Sequence, residues 1–217
     1  SRGLIHSDTR AEGLVNGERV VSLQRDLGFM WEPGWQSWAV ENVKALVVTM
    51  NWVYIITYWP VIFLAAFVLF IKSRSDYNFY RTVVFINLAG ALLIFMTFPV
   101  ASPFAIPSVI LLDSIQEFGP KFYGSEDMST FYNISAAMPS LHFSWTVILG
   151  VLFWRSFPGN LRLIGLLYPF LTFFAITLTG NHFILDAVAG GTLAGFSFSV
   201  ALLLRATVWR HPTRLSA

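Results

Sequence analysis

Cysteine is absent from all 217 residues. That removes disulfides, thiolate catalysis and Cys-ligated metal sites from consideration, while leaving the compartment open. Charge is scarce as well, at 12% of residues with a net charge of +2, and no Lys/Arg tract is interleaved with aromatics. Nucleic-acid binding is therefore excluded as a reading. The opening residues also lack the short apolar core of a signal peptide, so insertion into a membrane is expected to be driven by the later helices. What fills the chain instead is apolar: 55% hydrophobic and 17% aromatic residues, with a mean hydropathy of +0.62. No ordinary soluble domain has that make-up. The expected fold is all-α, a polytopic membrane bundle of about five to six transmembrane helices.

Residues 1–42 mix charge with apolar positions, and Trp31, Trp35 and Trp38 mark them as N-terminal amphipathic helices lying at the membrane interface. Residues 43–217 are expected to form the helical bundle. Its first span is read near 51–71 with a kink at Pro60, the second over 82–99, and three more over 141–154, 161–178 and 183–208. Between them, the 100–137 connection is rich in Pro, Ser and acids. Lys72, Arg74 and Arg81, then Arg155 and Arg162, then Arg205, Arg210 and Arg214 follow alternate spans. The positive-inside rule assigns those segments to the cytoplasm, so the 100–137 loop and the Thr179–His182 turn are expected on the extracytoplasmic side, with the plasma membrane as the expected location. In the last span Gly191 and Gly195 are four apart, flanked by Ala187, Gly190 and Ala194, and together they read as a helix-packing stripe.

Ionisable groups are costly inside a membrane and usually functional there. Three stand out: His142 in Pro139-Ser140-Leu141-His142, and His182 with Asp186 in Thr179-Gly180-Asn181-His182-Phe183-Ile184-Leu185-Asp186. Four residues apart on one helix, His182 and Asp186 share a face. The carboxylate can then hold one ring nitrogen and leave the other free to attack phosphorus or carry a proton, while His142 is placed to protonate a leaving oxygen. Pro139 and Gly180 fit turns whose following amides favour an anion. Ser140, Thr179, Gly180, Asn181 and Lys121 are the expected substrate contacts. Lys121 is the one Lys or Arg on the expected outer side between residues 73 and 204. Two His and one Asp also form a possible metal set, and Asp113 with Glu117, four apart in the outer loop, are a candidate Mg²⁺ pair.

These residues resemble the type 2 phosphatidic acid phosphatase superfamily, and within it the branch similar to inositol phosphorylceramide synthase. Pro139-Ser140-Leu141-His142 looks like its second motif, Gly180-Asn181-His182 with Asp186 looks like its third, and the stretch 23–36 with Gly28, Glu32 and Gln36 looks like the opening of this branch. The resemblance implies His182 as a nucleophile forming a phosphohistidine, Asp186 as its orienter and His142 as general acid. No cofactor is required for that mechanism. Its implied partner is a membrane lipid substrate carrying a phosphate or diphosphate, with isoprenoid lipids among the candidates. The family's third motif opens with Ser-Arg, where this chain has Ala175-Ile176. Its other expected basic clamps are also missing, with Ala101-Ser102-Pro103-Phe104 in one matching place. Two alternatives follow from that loss. One is a terpene synthase-like enzyme that ionises and cyclises a prenyl diphosphate with Mg²⁺, and the other is a non-catalytic lipid-phosphate-binding scaffold.

Overall fold

A computed structural model of the chain describes residues 2–120 and 135–208. Lys121 lies outside the described residues. Among those described there are nine α-helices and no β-strand: α1 (Arg2–Asp26), α2 (Glu32–Asn42), α3 (Lys44–Ile56), α4 (Tyr58–Lys72), α5 (Arg74–Thr97), α6 (Ser114–Phe118), α7 (Leu141–Ser156), α8 (Leu161–Leu178) and α9 (Ile184–Val208). The all-α expectation is met.

Two of these, α5 and α9, are long and apolar enough to cross a bilayer as they stand. Helices α2 and α3 pass the same test only as a pair, bent by 118°. Helix α4 and the Arg162–Leu178 part of α8 are apolar but shorter. Large apolar side chains such as Phe63, Phe67, Phe85, Leu93, Met96, Leu167, Phe170, Phe196 and Leu203 point outward. In water such a surface would aggregate, whereas against lipid it costs nothing. The protein is an integral membrane protein.

Instead of one kinked span over 51–71, the chain breaks at Thr57 and restarts as α4. Pro60 lies in the first turn of α4. Having no N–H, it cannot donate to the Ile56 carbonyl, and its ring crowds that carbonyl. The break therefore falls one turn ahead of the proline. The Thr57 carbonyl, which accepts from Val61 N at 3.3 Å, also accepts from Tyr168 Oη at 3.1 Å, and this ties the break to α8.

The bundle is drawn tight at glycines of α7, α8 and α9. A Cβ on Gly150 would lie 2.5 Å from the Gly165 carbonyl oxygen, and one on Gly165 would lie 2.4 Å from that of Gly150, so α7 and α8 cross backbone to backbone. Gly190 of α9 faces the Ser140 carbonyl in the same way, at 2.5 Å. Gly195 has open space beside it, and Gly191 meets only the edge of Phe143. Within the expected stripe the close approach therefore falls at Gly190, with Ala187 and Ala194 buried, and not at Gly191 and Gly195.

At the centre, Asn87 of α5 is fully buried. It donates to Ser144 Oγ at 2.7 Å and to Ser197 Oγ at 3.4 Å, and accepts from Trp145 Nε1 at 3.0 Å, joining α5, α7 and α9. Helices α1 and α2 are fastened to the same bundle. Arg25 Nη2 donates to the Ser108 carbonyl at 2.8 Å, and Asn16 Nδ2 to that of Pro99 at 2.9 Å. Among the described residues, the face of α1 turned inward carries Asn16, Gln24 and the valines Val20 and Val21, all buried. Trp31 and Trp38 remain exposed.

Candidate active site

The segment ahead of α7 is anchored first. Val100 N donates to the Ser135 carbonyl and Ala137 N to the Val100 carbonyl, each at 3.0 Å. The Met138–Pro139 peptide is cis. Ser140 then caps α7, its Oγ accepting from Phe143 N at 3.3 Å, which satisfies one of the free amides of the first turn. His142 follows, half-buried, one residue into the helix. Its ring lies between two tyrosines: Tyr54 stacks on it at 4.2 Å between centroids and 23°, and Tyr58 leans against it at 4.3 Å and 36°. Trp145 in turn stacks on Tyr58 at 5.7 Å.

The second half of the site is a tight turn between α8 and α9. Gly180 adopts φ +76°, a left-handed backbone that suits glycine, and a Cβ there would meet the Leu112 carbonyl oxygen at 2.4 Å. Thr179 and Asn181 hold the turn closed, with Asn181 Nδ2 donating to Thr179 Oγ1 at 2.9 Å. Gln36 fastens it from outside, donating from Nε2 to the carbonyls of Leu112 and Leu178 at 2.9 and 3.0 Å and accepting from Leu112 N at 2.7 Å. His182 is buried, and its N donates to the Ile176 carbonyl at 3.1 Å.

One ring nitrogen of His182 is spoken for. Nδ1 lies 2.9 Å from the Ala137 carbonyl oxygen and 3.5 Å from Asp186 Oδ2. A carbonyl can only accept, so Nδ1 carries the proton and Nε2 keeps its lone pair. The main-chain carbonyl is the nearer partner. Asp186 Oδ2 is taken at 2.8 Å by Phe183 N, while Oδ1 is buried without a hydrogen-bond partner among the described residues. Both histidines face one another, with ring centroids 6.1 Å apart and planes at 54°. The two motifs meet in the backbone too, since Ser140 N donates to the Asp186 carbonyl at 3.0 Å.

His142, His182, Asp186 and Ser140 thus converge. Thr179, Gly180 and Asn181 build the turn that presents His182. Asp113 and Glu117 are elsewhere: Asp113 caps α6, its Oδ1 accepting from Ile115 N at 3.2 Å and Gln116 N at 3.1 Å. Burial raises the Asp113 carboxyl above its ordinary range, opposed by those two backbone bonds. No group of three or more His, Asp or Glu suited to a metal occurs among the described residues. Nor does any Lys or Arg among them bond to His182 or Asp186.

The composition alone did not single out Tyr54, Tyr58 and Gln24. Tyr54 and Tyr58 are four apart, the usual spacing of a helix face, yet the break at Thr57 separates them. Gln24 Oε1 accepts from Leu185 N at 2.9 Å, and Glu32 Oε1 from Ile184 N at 2.7 Å, so both reach the first turn of α9. Comparison with curated proteins and with solved structures gives no match. A family model described as the PAP2 superfamily matches residues 18–200, a stretch that contains α2, both motifs and most of α9.

Proposed function

Because the chain belongs to the PAP2 superfamily, we propose that it acts on a lipid phosphate or diphosphate at the extracytoplasmic membrane face, through His182 as nucleophile. Membership supports a lipid phosphate phosphatase or phosphotransferase in general terms. The observation that carries the finer reading is the engaged Nδ1 of His182, 2.9 Å from the Ala137 carbonyl, with the centroid of the His142 ring 6.1 Å away.

In this reading Nε2 attacks phosphorus, the bond from phosphorus to the leaving oxygen breaks, and His142 gives that oxygen its proton. Asp186, with Oδ2 at 3.5 Å, balances the positive charge that the imidazole gains. Water or an alcohol then attacks the phosphohistidine, yielding its proton to His142 and releasing His182. Positive potential for the phosphate comes from the start of α7, since Phe183, Ile184 and Leu185 of α9 already give their amides to Asp186, Glu32 and Gln24. The basic residues Lys72, Arg74, Arg81, Arg155, Arg162 and Arg205 support the orientation, as they cluster on segments away from the site.

Purified protein in detergent or nanodiscs is offered a panel of lipid phosphates and prenyl diphosphates, with released phosphate and organic product both measured. Wild type is expected to release phosphate or transfer the head group, and His182→Ala to do neither. Unchanged turnover in His182→Ala overturns the mechanism. A cyclic hydrocarbon as product supports the prenyl cyclase alternative in its place, and tight binding without product supports the scaffold.

A further inference from the structure

The site helix α9 is capped from the other end of the chain. Helix N-termini leave amides without partners, and a nearby residue of the same turn usually supplies the acceptor. Here Asp186 serves Phe183 N locally, but Ile184 N and Leu185 N are served by Glu32 and Gln24, which precede them by 152 and 161 residues. The two caps are themselves joined, since Gln24 Nε2 donates to Glu32 Oε1 at 2.8 Å. Both side chains are fully buried. One Glu32 oxygen thus accepts two hydrogen bonds, while Oε2 has no hydrogen-bond partner among the described residues.

From this arrangement we infer that Glu32, supported by Gln24, is a positioning residue for His182 and Asp186, holding α9 in the register that aims His182 at the substrate. The inference rests on the proposed function, in which those two residues do the chemistry. His182 and Asp186 flank the capped amides on the chain. If Ile184 N and Leu185 N lose their acceptors, the first turn of α9 can fray. Asp186 Oδ2 then loses its geometry relative to His182 Nδ1, which already stands at 3.5 Å. The rest of the bundle is held elsewhere, by Asn87 and by the glycine crossing of α7 and α8. A positioning fault should therefore slow turnover while leaving lipid binding intact.

The test compares Glu32→Ala, Glu32→Gln and Gln24→Ala with wild type in nanodiscs, on the lipid phosphate that wild type turns over. Glu32→Ala removes the acceptor, and kcat is expected to fall at least about 10-fold with KM within about two-fold. Glu32→Gln keeps an oxygen for Ile184 N and is expected to restore kcat to within a few-fold of wild type. Gln24→Ala, the milder lesion, is expected to fall between them. Hydrogen–deuterium exchange over the 183–186 peptide is read in parallel, with faster exchange expected in Glu32→Ala and wild-type protection in Glu32→Gln. Wild-type kcat in Glu32→Ala overturns the inference, as does a Glu32→Gln enzyme as slow as Glu32→Ala. If wild type turns over no lipid phosphate, it is the proposed function that fails. The exchange arm still tests the cap, and unchanged exchange in Glu32→Ala overturns it.

Discussion

Ser140 N donates to the Asp186 carbonyl at 3.0 Å, fastening the turn before α7 to the first turn of α9. Through that one backbone bond the two motifs, far apart in sequence, share a frame. Gly190, one helical turn beyond Asp186, makes the approach possible, because a side chain there would strike the Ser140 carbonyl.

Gly190→Ala is therefore expected to damage the site. Its Cβ would sit 2.5 Å from Ser140 O, a backbone atom that cannot swing aside, so α9 must move away from the α7 entrance. A displacement approaching 1 Å costs on the order of 100-fold in rate. Gly195→Ala is the control: nothing lies within 4 Å of its Cβ position, and alanine is favoured over glycine in a helix by about 1 kcal/mol. Turnover and thermal unfolding of both variants check this. Equal activity in Gly190→Ala and wild type would mean that the Ser140–Asp186 contact does not set the catalytic geometry.

His142 owes its orientation to aromatic faces. Tyr58 lies 4.3 Å from it by ring centroid, and the Tyr58 hydroxyl reaches the Leu141 carbonyl only at 3.5 Å. The ring matters more than the hydroxyl, so Tyr58→Phe is expected to keep turnover within about two-fold of wild type. Tyr58→Ala removes one wall of the stack. Aromatic contacts of this kind are worth about 0.5–1.5 kcal/mol, so a loss of up to about 10-fold is expected. Steady-state kinetics on the two variants separate the contributions, and a Tyr58→Phe enzyme as slow as Tyr58→Ala would shift the role to the hydroxyl.

The legible parts of the site were local. His182 and Asp186 are four residues apart, and the structure does bring His182 Nδ1 to 3.5 Å from Asp186 Oδ2, but not as one helical face: α9 begins at Ile184, and His182 stands in the turn ahead of it. The apolar runs over 82–99 and 183–208 correspond to α5 and α9, the two helices long enough to span. Hidden parts were those made by distant partners. Hydrogen bonds such as Glu32 to Ile184 and Gln24 to Leu185 join residues more than 150 apart, and no periodicity or spacing records them. Glu32 and Gln36 were visible only through family resemblance, and the main-chain groups they bond, Ile184 N for Glu32 and Leu112 and Leu178 for Gln36, give the physical reason they are polar. The stripe on α9 contained the glycine that matters, Gly190, but its four-residue spacing pointed to Gly191 and Gly195: which glycine is needed depends on the neighbour's backbone, and the Ser140 turn that crowds Gly190 comes from another segment.

Asn87 tests whether polar contacts inside the bundle hold the site's scaffold. It is fully buried and bonds Ser144 Oγ, Trp145 Nε1 and Ser197 Oγ, so it reaches three helices at once. Asn87→Leu keeps the branched shape, though it is bulkier, and strands the Trp145 N–H. Polar bonds between membrane helices average about 0.6 kcal/mol and reach about 1.7, and an unsatisfied buried donor costs about 1–3 kcal/mol. The expected loss is about 1–3 kcal/mol, seen as a lower midpoint of unfolding in detergent. Activity should fall with it, because Trp145 stacks on Tyr58 and Tyr58 on His142. Asn87→Asp keeps an acceptor for Trp145 but places a carboxylate against the Ser144 and Ser197 hydroxyls, which can rotate to donate. It is expected to preserve the indole bond while still lowering stability, since a buried charge is added. A wild-type midpoint in Asn87→Leu would show that packing alone holds α5, α7 and α9 together.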